Sequence, residues 1–268
     1  MNVIPPEPVV TRYGSYADLP ERVGDDALLL IETDPAVLHG AWEIEGGYAF
    51  ASIDAYGGDP CWLNVVGSMR AAARLTGIAL AELGEECCGL TVPRGLELAA
   101  SLPRWAGLDA ETGLWDLMRC DAEPPVQPGE ERVIRLGDPA VVQDFLDRVS
   151  PTHSVRADHP EVERWLGVAE EASGELLAIG AFTRRARETA YLASIATAPE
   201  ARGQGLGGAV TAALTRYAFA SGGKLCTLAH YHPNEQARRL YLRIGYRTTH
   251  QLQSGHFTRE EGGSTQNE

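Results

Sequence analysis

GQGLGG, residues 203–208, stands between the run PEAR and the segment AVTAALTRYAFAS, whose apolar residues recur at helical spacing. The stretch before it, TAYLASIATAP, reads as a strand, so the glycine loop is predicted to join a strand to a helix. Backbone N–H groups at a helix start have no partner within the helix. The helix dipole adds positive potential there, and glycine lets an anion come close. Read literally the loop is G-x-G-x-x-G, the fingerprint of a dinucleotide-binding turn. Three readings are therefore open: a dinucleotide site, a site for a different phosphate, and a tight turn that binds nothing.

The surroundings decide among them. A dinucleotide fold places an Asp or Glu at a strand end about 20 residues after the loop, to hold the ribose. Here the next strand, KLCTLAHYH, ends in histidines, and only about one strand–helix unit follows it. Upstream, ERVIRLG alternates like a strand, and DPAVVQDFLDRVS opens a helix with Asp138 as N-cap and Pro139 at the first helical position. A short helix is expected around HPEVERW. LGVAEEA, ELLAIGAFTRR and TAYLASIATAP then form an antiparallel meander, with Ser173-Gly174 as the first turn. Downstream, NEQARRLYLRIG is a helix capped by Asn234 and ended by Gly245, and YRTTHQLQSGHF is the closing strand. REEGGSTQNE has the composition of a disordered tail.

Including Arg202, the loop becomes R-x-x-G-x-G, set after Pro199. Asn234 starts the next helix, Tyr241 follows seven residues on, and Gly245-Tyr246 enters the last strand. Together these features resemble the GCN5-related N-acetyltransferase (GNAT) family over roughly residues 131–257. The resemblance implies an α/β (α+β) fold with a mixed, mainly antiparallel sheet flanked by helices, and acetyl-CoA as co-substrate with no metal. By the same resemblance, the backbone of Gly203, Gln204, Gly205, Leu206, Gly207 and Gly208 holds the pyrophosphate, with Arg202 shaping the loop or adding charge. Ile195, Ala196 and Thr197 offer backbone to the pantetheine arm, Asn234 hydrogen-bonds it, and Tyr241 protonates the departing thiolate.

The general base is harder to find. Many relatives use a glutamate on the strand before the loop, but TAYLASIATA contains no acid. His230, at the end of KLCTLAHY, is the first candidate, followed by His232; Ser194 is a candidate to order a water. Glu200 reads as structural, and Glu170 and Glu171 are weaker candidates still. A second function class stays open on this evidence: a sensor or interaction module that binds acyl-CoA and does not transfer it.

The chain also carries a diverged repeat. Laid on itself so that Gly67 meets Gly205, an offset of 138 residues, GSMRAAARLTGIALAELGEECCGLTV (67–92) covers GLGGAVTAALTRYAFASGGKLCTLAH (205–230). Cys88 meets Cys226 and Leu90 meets Leu228. Glu97, Ala99, Leu102 and Gly107 fall on Glu235, Ala237, Leu240 and Gly245, and GLWDLMRC answers YRTTHQLQ as a last strand. Opposite Arg202, Gly207, Asn234 and Tyr241 stand Asn64, Met69, Leu96 and Pro103, so the first copy keeps a scaffold and loses a site. The expected organisation is a degenerate GNAT-like domain over 1–126, a catalytic domain over 127–260 and a tail over 261–268. AEPPVQPGEE (122–131) is the expected exposed linker.

The 268 residues suit two domains. The net charge of −14 is uneven: residues 1–130 hold 21 acids against 7 bases, while 131–268 hold 16 of each. Within 201–250, seven bases face only Glu235, which makes a local anion site in an acidic protein. Binding along a nucleic-acid backbone would need a broad basic face, so no nucleic-acid partner is expected. No apolar run approaches the roughly 18 residues of a membrane span, and no secretory signal is visible, so a cytoplasmic protein is expected. Five cysteines without C-x-x-C spacing fit reduced thiols. The expected acceptor is a small-molecule or peptide amine. A cationic one would be drawn by the acidic half, although that acidity serves solubility equally well. The oligomeric state, including a homo-oligomer, is left open.

Overall fold

The computed structural model describes residues 9–33, 38–52, 61–97 and 113–257. In chain order its elements are β1 (Thr11–Tyr13), α1 (Glu21–Gly24), α2 (Ala27–Glu32), β2 (Leu38–Ile44), β3 (Gly47–Ser52), β4 (Trp62–Gly67), α3 (Met69–Leu83), β5 (Gly89–Pro93) and β6 (Leu114–Cys120). There follow β7 (Ile134–Leu136), α4 (Pro139–Val149), β8 (Val162–Ala169), β9 (Leu176–Arg184), β10 (Ala190–Thr197), α5 (Leu206–Ala220), β11 (Cys226–Tyr231), α6 (Glu235–Ile244) and β12 (Arg247–His256). Among the described residues no helix is long and apolar enough to cross a membrane.

Two compact units result. The first holds residues up to Gly24, Thr33–Trp115 and the chain from Gln251; the second holds Asp25–Glu32 and Asp116–His250. This differs from the linear division expected near residue 126. The divisions fall inside β6 and β12, and α2 joins the second unit. Arg187 holds Asp25 at 2.5 Å and His250 Nε2 lies 3.2 Å from Asp26. The expected linker is not a free tether either. Pro124 and Gln127 are buried, and Arg216 on α5 binds Glu130 at 2.7 Å and Glu123 at 2.9 Å. The tail over 261–268 lies outside the described residues.

In the second unit, β7, β8, β9 and β10 form the antiparallel meander, and β11 joins β10 in parallel. The helix expected around HPEVERW is absent: Val162 already pairs with Thr183, and Trp165 pairs with Ala181. Those partners are distant in sequence, and burying Trp165 on the sheet outweighs any local helical preference. Asp138 caps α4 as expected, accepting from Ala140 N at 2.9 Å. The small residues of α5 let it lie close on the sheet, with Ala209, Val210, Ala212 and Leu214 fully buried. The core beneath it includes Phe145, Phe182, Ile179 and Leu228.

Burial pushes the Cys226 thiol up to about 12, although Tyr246 Oη donates to its sulfur at 3.2 Å. A thiol whose folded value is raised contributes stability that is complete below its unfolded value near 9 and lost as pH rises toward 12. At about 1.4 kcal/mol per pKa unit, the loss is on the order of 4 kcal/mol. The denaturant midpoint should fall steadily between about pH 8 and about pH 11; a flat midpoint over that range would contradict the assignment.

The first unit repeats the same order. β1 to β4 are antiparallel neighbours, β5 joins β4 in parallel, and α3 packs on the sheet through Ala71, Ala72, Leu75 and Ala79. The residues matched to the helix NEQARRLYLRIG fall mostly in 98–112, outside the described residues.

Candidate active site

The site is built where β10 and β11 part. Their parallel pairing covers Ala190, Leu192, Cys226 and Leu228 and goes no further, although β10 continues to Thr197 and β11 to Tyr231. The cause lies in β10. Register with β9 slips between Ala193 and Ala196, and Ser194 sits at φ +49°, a bulge conformation that a non-glycine residue adopts only when held. Ser194 Oγ supplies the hold, accepting from Val155 N and donating to Val155 O, both at 3.0 Å. Ser194, expected to order a water, gives its single O–H to the backbone and keeps one lone pair to accept from a water. Ala196 and Thr197 thus keep β9 on one edge, and Ile195, Ala196 and Thr197 leave the edge toward β11 without a strand partner.

Between Thr197 and α5 the chain makes a short helical turn at Pro199–Ala201 and then the glycine loop. Gly203 and Gly205 both adopt φ +81°, where a side chain is strained, and Gly205 is the N-cap of α5. Among the described residues, the N–H groups of Gly203 through Gly208 reach no backbone carbonyl, whereas Ala209 N bonds Gly205 O at 3.0 Å. A Cβ on Gly207 would stand 3.0 Å from Thr197 Oγ1, so a side chain at that position would have to push Thr197 aside. Arg202 is exposed and forms no ion pair among the described residues. Arg243 is one of the seven bases of 201–250. Its guanidinium comes within 4.0 Å of where a Cβ on Gly208 would lie, adding a second cation at the helix start. Backbone N–H groups and two guanidinium groups thus stand near the start of α5, donors of the kind an anion needs.

Tyr241 and His230 meet on the α6 side of β11, their rings 6.1 Å apart. Tyr241 is buried, and burial, reinforced by nearby Tyr191, holds its phenol well above the ordinary tyrosine value, so it stays protonated. His230 is also buried, and its Nδ1 stands 2.9 Å from the carbonyl of Tyr231. A carbonyl only accepts, so Nδ1 carries the proton and Nε2 presents a lone pair. Nε2 has no hydrogen-bond partner among the described residues. Asn234 caps α6, its Oδ1 accepting from Ala237 N at 3.0 Å, which leaves only its amide N–H groups for any ligand. Glu200 is exposed in the turn before the loop, and Glu170 and Glu171 are exposed at the β8–β9 turn. His232 lies just past β11, with its Nδ1 3.7 Å from the carboxylate of the buried Asp116. Asp116 was missed, although a lone acid in the apolar run LWDLM was a readable signal. Among the described residues no group of His, Cys, Asp and Glu could hold a metal ion.

The first unit differs at the corresponding place. Only Ser68 separates β4 from α3, whereas residues 198–205 separate β10 from α5. The offset of 138 therefore holds for the helix and the following strand and fails before them. Asn64 is a fully buried strand residue and no counterpart of Arg202. The start of α3 is closed as well: Ser68 Oγ accepts from Ala71 N at 3.3 Å, and Ser68 N bonds Gly46 O at 3.0 Å. Gly67, at φ +141°, is so close that a Cβ would lie 2.4 Å from that same carbonyl. The N–H groups of Ser68 and Ala71 are thereby already paired.

Residues 131–246 match the model of the acetyltransferase (GNAT) family. No curated protein matches the chain. Among solved structures it is similar to a putative GNAT acetyltransferase from Novosphingobium aromaticivorans, with 20% identity, TM-score 0.51, and 79% of this chain and 88% of that one covered. It is also similar to a GCN5-related N-acetyltransferase from Sphaerobacter thermophilus, with 15% identity, TM-score 0.55 and 84% and 81% covered. A third, from Kribbella flavida, shares 17% identity at TM-score 0.53, with 80% and 88% covered. At these identities the neighbours establish the fold, a mainly antiparallel mixed sheet flanked by helices. The family model, the loop and the parted strands agree: residues 131–246 are a GNAT acetyltransferase domain.

Proposed function

We propose that the second unit transfers the acetyl group of acetyl-CoA to a primary amine by direct attack, and that the first unit no longer binds coenzyme A. The observation that carries this reading is the run of N–H groups from Gly203 to Gly208 at the start of α5 that reach no backbone carbonyl among the described residues, beside an open strand edge. Those amides, with Arg202 and Arg243, would hold the pyrophosphate. The open edge at Ile195, Ala196 and Thr197 would pair the pantetheine arm as an added strand does, and the Asn234 amide would reach it. Bound acetyl-CoA supplies a thioester carbonyl to the attacking amine. The lone pair of His230 Nε2 takes a proton from the acceptor ammonium, and the Tyr241 phenol gives one to the thiolate. The acceptor is a small molecule or peptide, and neither nucleic acid nor membrane takes part. The free cysteines suit a reducing cytoplasm.

Calorimetric titration tests the reading. Acetyl-CoA should bind with a dissociation constant on the order of micromolar, and NAD should not bind. Thiol release should then follow when amines are added. NAD binding in place of acetyl-CoA would overturn the proposal; acetyl-CoA binding with no turnover on any amine would make the unit a sensor.

A further inference from the structure

Three of the five cysteines meet at one place in the first unit. Cys61 stands immediately before β4, and Cys87 and Cys88 stand immediately before β5. The two strands pair in parallel from Trp62 against Gly89, and Cys88 N bonds Cys61 O at 2.8 Å, so the entries to both strands already lie side by side. Neighbouring strands run about 4.8 Å apart, within the roughly 4.4–6.8 Å between Cα atoms that a disulfide spans.

Cys61, 1% exposed, and Cys87, 6% exposed, both belong to the apolar core that includes Leu63, Leu75 and Leu90. There the thiols of Cys61 and Cys87 are hydrogen-bonded to each other. Cys88 is half-buried and outside that core, and its Sγ is engaged elsewhere, donating to the carbonyl of Cys61 at 3.0 Å. The bond from Cys61 draws the Cys87 thiol below its ordinary value, against its burial. The same bond, together with burial, pushes the Cys61 thiol up. Thiolate character therefore collects on Cys87, and the thiolate is the form that reacts with a peroxide.

We propose that Cys61 and Cys87 are a redox pair that closes to a disulfide on exposure to hydrogen peroxide and reopens with a dithiol. The Cys87 sulfur attacks one peroxide oxygen and the O–O bond breaks, which gives a sulfenic acid at Cys87 and one water. The Cys61 sulfur then displaces the hydroxyl from Cys87, forming the S–S bond and a second water. Both thiol protons leave in the waters; the two sulfurs lose two electrons and the peroxide gains them. A dithiol reopens the bond by exchange and becomes a disulfide itself. The bond staples the entry of β4 to that of β5 and constrains the chain between them. The pair is independent of the acetyl-CoA reading, because both thiols belong to the first unit.

The test treats the full chain with hydrogen peroxide, quenches with catalase and counts free thiols under denaturing conditions. The count should fall by two, from the five of the reduced chain to three. The intact mass should show the loss of two hydrogens and no gain of oxygen, and dithiothreitol should reverse both changes. Non-reducing tryptic digestion should join the peptide ending at Arg70 to the peptide ending at Arg94, and fragmentation should place the link at Cys87. Cys88→Ser should keep the link and Cys87→Ser should remove it. An unchanged count, oxygen gained without a link, a link between two chains or a link placed at Cys88 would overturn the pairing. The wild-type digest gives that answer even where a serine variant does not fold.

Discussion

Replacing Gly205 by Glu removes acetyl-CoA binding and leaves the fold in place. The residue sits at φ +81° as the N-cap of α5, so any side chain costs about 1–2 kcal/mol of backbone strain. A carboxylate at a helix start returns roughly 0.3–1 kcal/mol through the dipole, so the net cost is small beside a domain's stability. The binding cost is larger and has two sources. The new side chain enters the cradle formed by the N–H groups of Gly203 to Gly208, and its charge repels the pyrophosphate. The expected weakening is at least about a hundredfold, roughly 3 kcal/mol, read by calorimetry beside an unchanged circular dichroism spectrum. Binding at wild-type strength would mean that the phosphate lies elsewhere. Arg243→Ala offers a graded companion, because it removes one cation without touching the loop.

What could be read before the structure was local, and what could not was set by distant pairing. The loop and α5 were legible because glycines, a strand and a helical apolar period stand side by side in GQGLGGAVTAALTRYAFA. The caps at Asp138 and Asn234 were legible for the same reason. HPEVERW misled because its fate depends on β9, where Val162 and Trp165 find partners some twenty residues away. The division into units was hidden because β6 and β12 each pass from one unit into the other. Ser194 looked like a polar group near the chemistry, and only the approach of Val155 shows that its hydroxyl holds the bulge. Arg243 was legible as one base of the basic segment 201–250, but its place near Gly208 follows from how α6 packs. The difference between the two helix starts was visible as substitutions, but the short β4–α3 connection is something an ungapped overlay cannot display.

Tyr241→Phe should lower turnover by about two orders of magnitude, within the range of general acid catalysis, and leave acetyl-CoA affinity unchanged. The ring stays in place against His230 and Tyr246, each 6.1 Å away, so packing is conserved. The hydroxyl makes no hydrogen bond among the described residues, so removing it from a buried position costs little stability. Only the proton is lost, and an alkanethiolate is a poor leaving group without one. The pH dependence sharpens the test. Burial, with Tyr191 nearby, raises the phenol above its ordinary value near 10, and the acid must be protonated to act. Any alkaline decline caused by Tyr241 therefore begins above that value, and the Phe variant should be impaired evenly from about pH 7 to about pH 9. A variant with full turnover would remove the acid role. A deficit that vanishes with rising pH would assign the proton to another group, and a matching loss of acetyl-CoA affinity would make Tyr241 a binding residue.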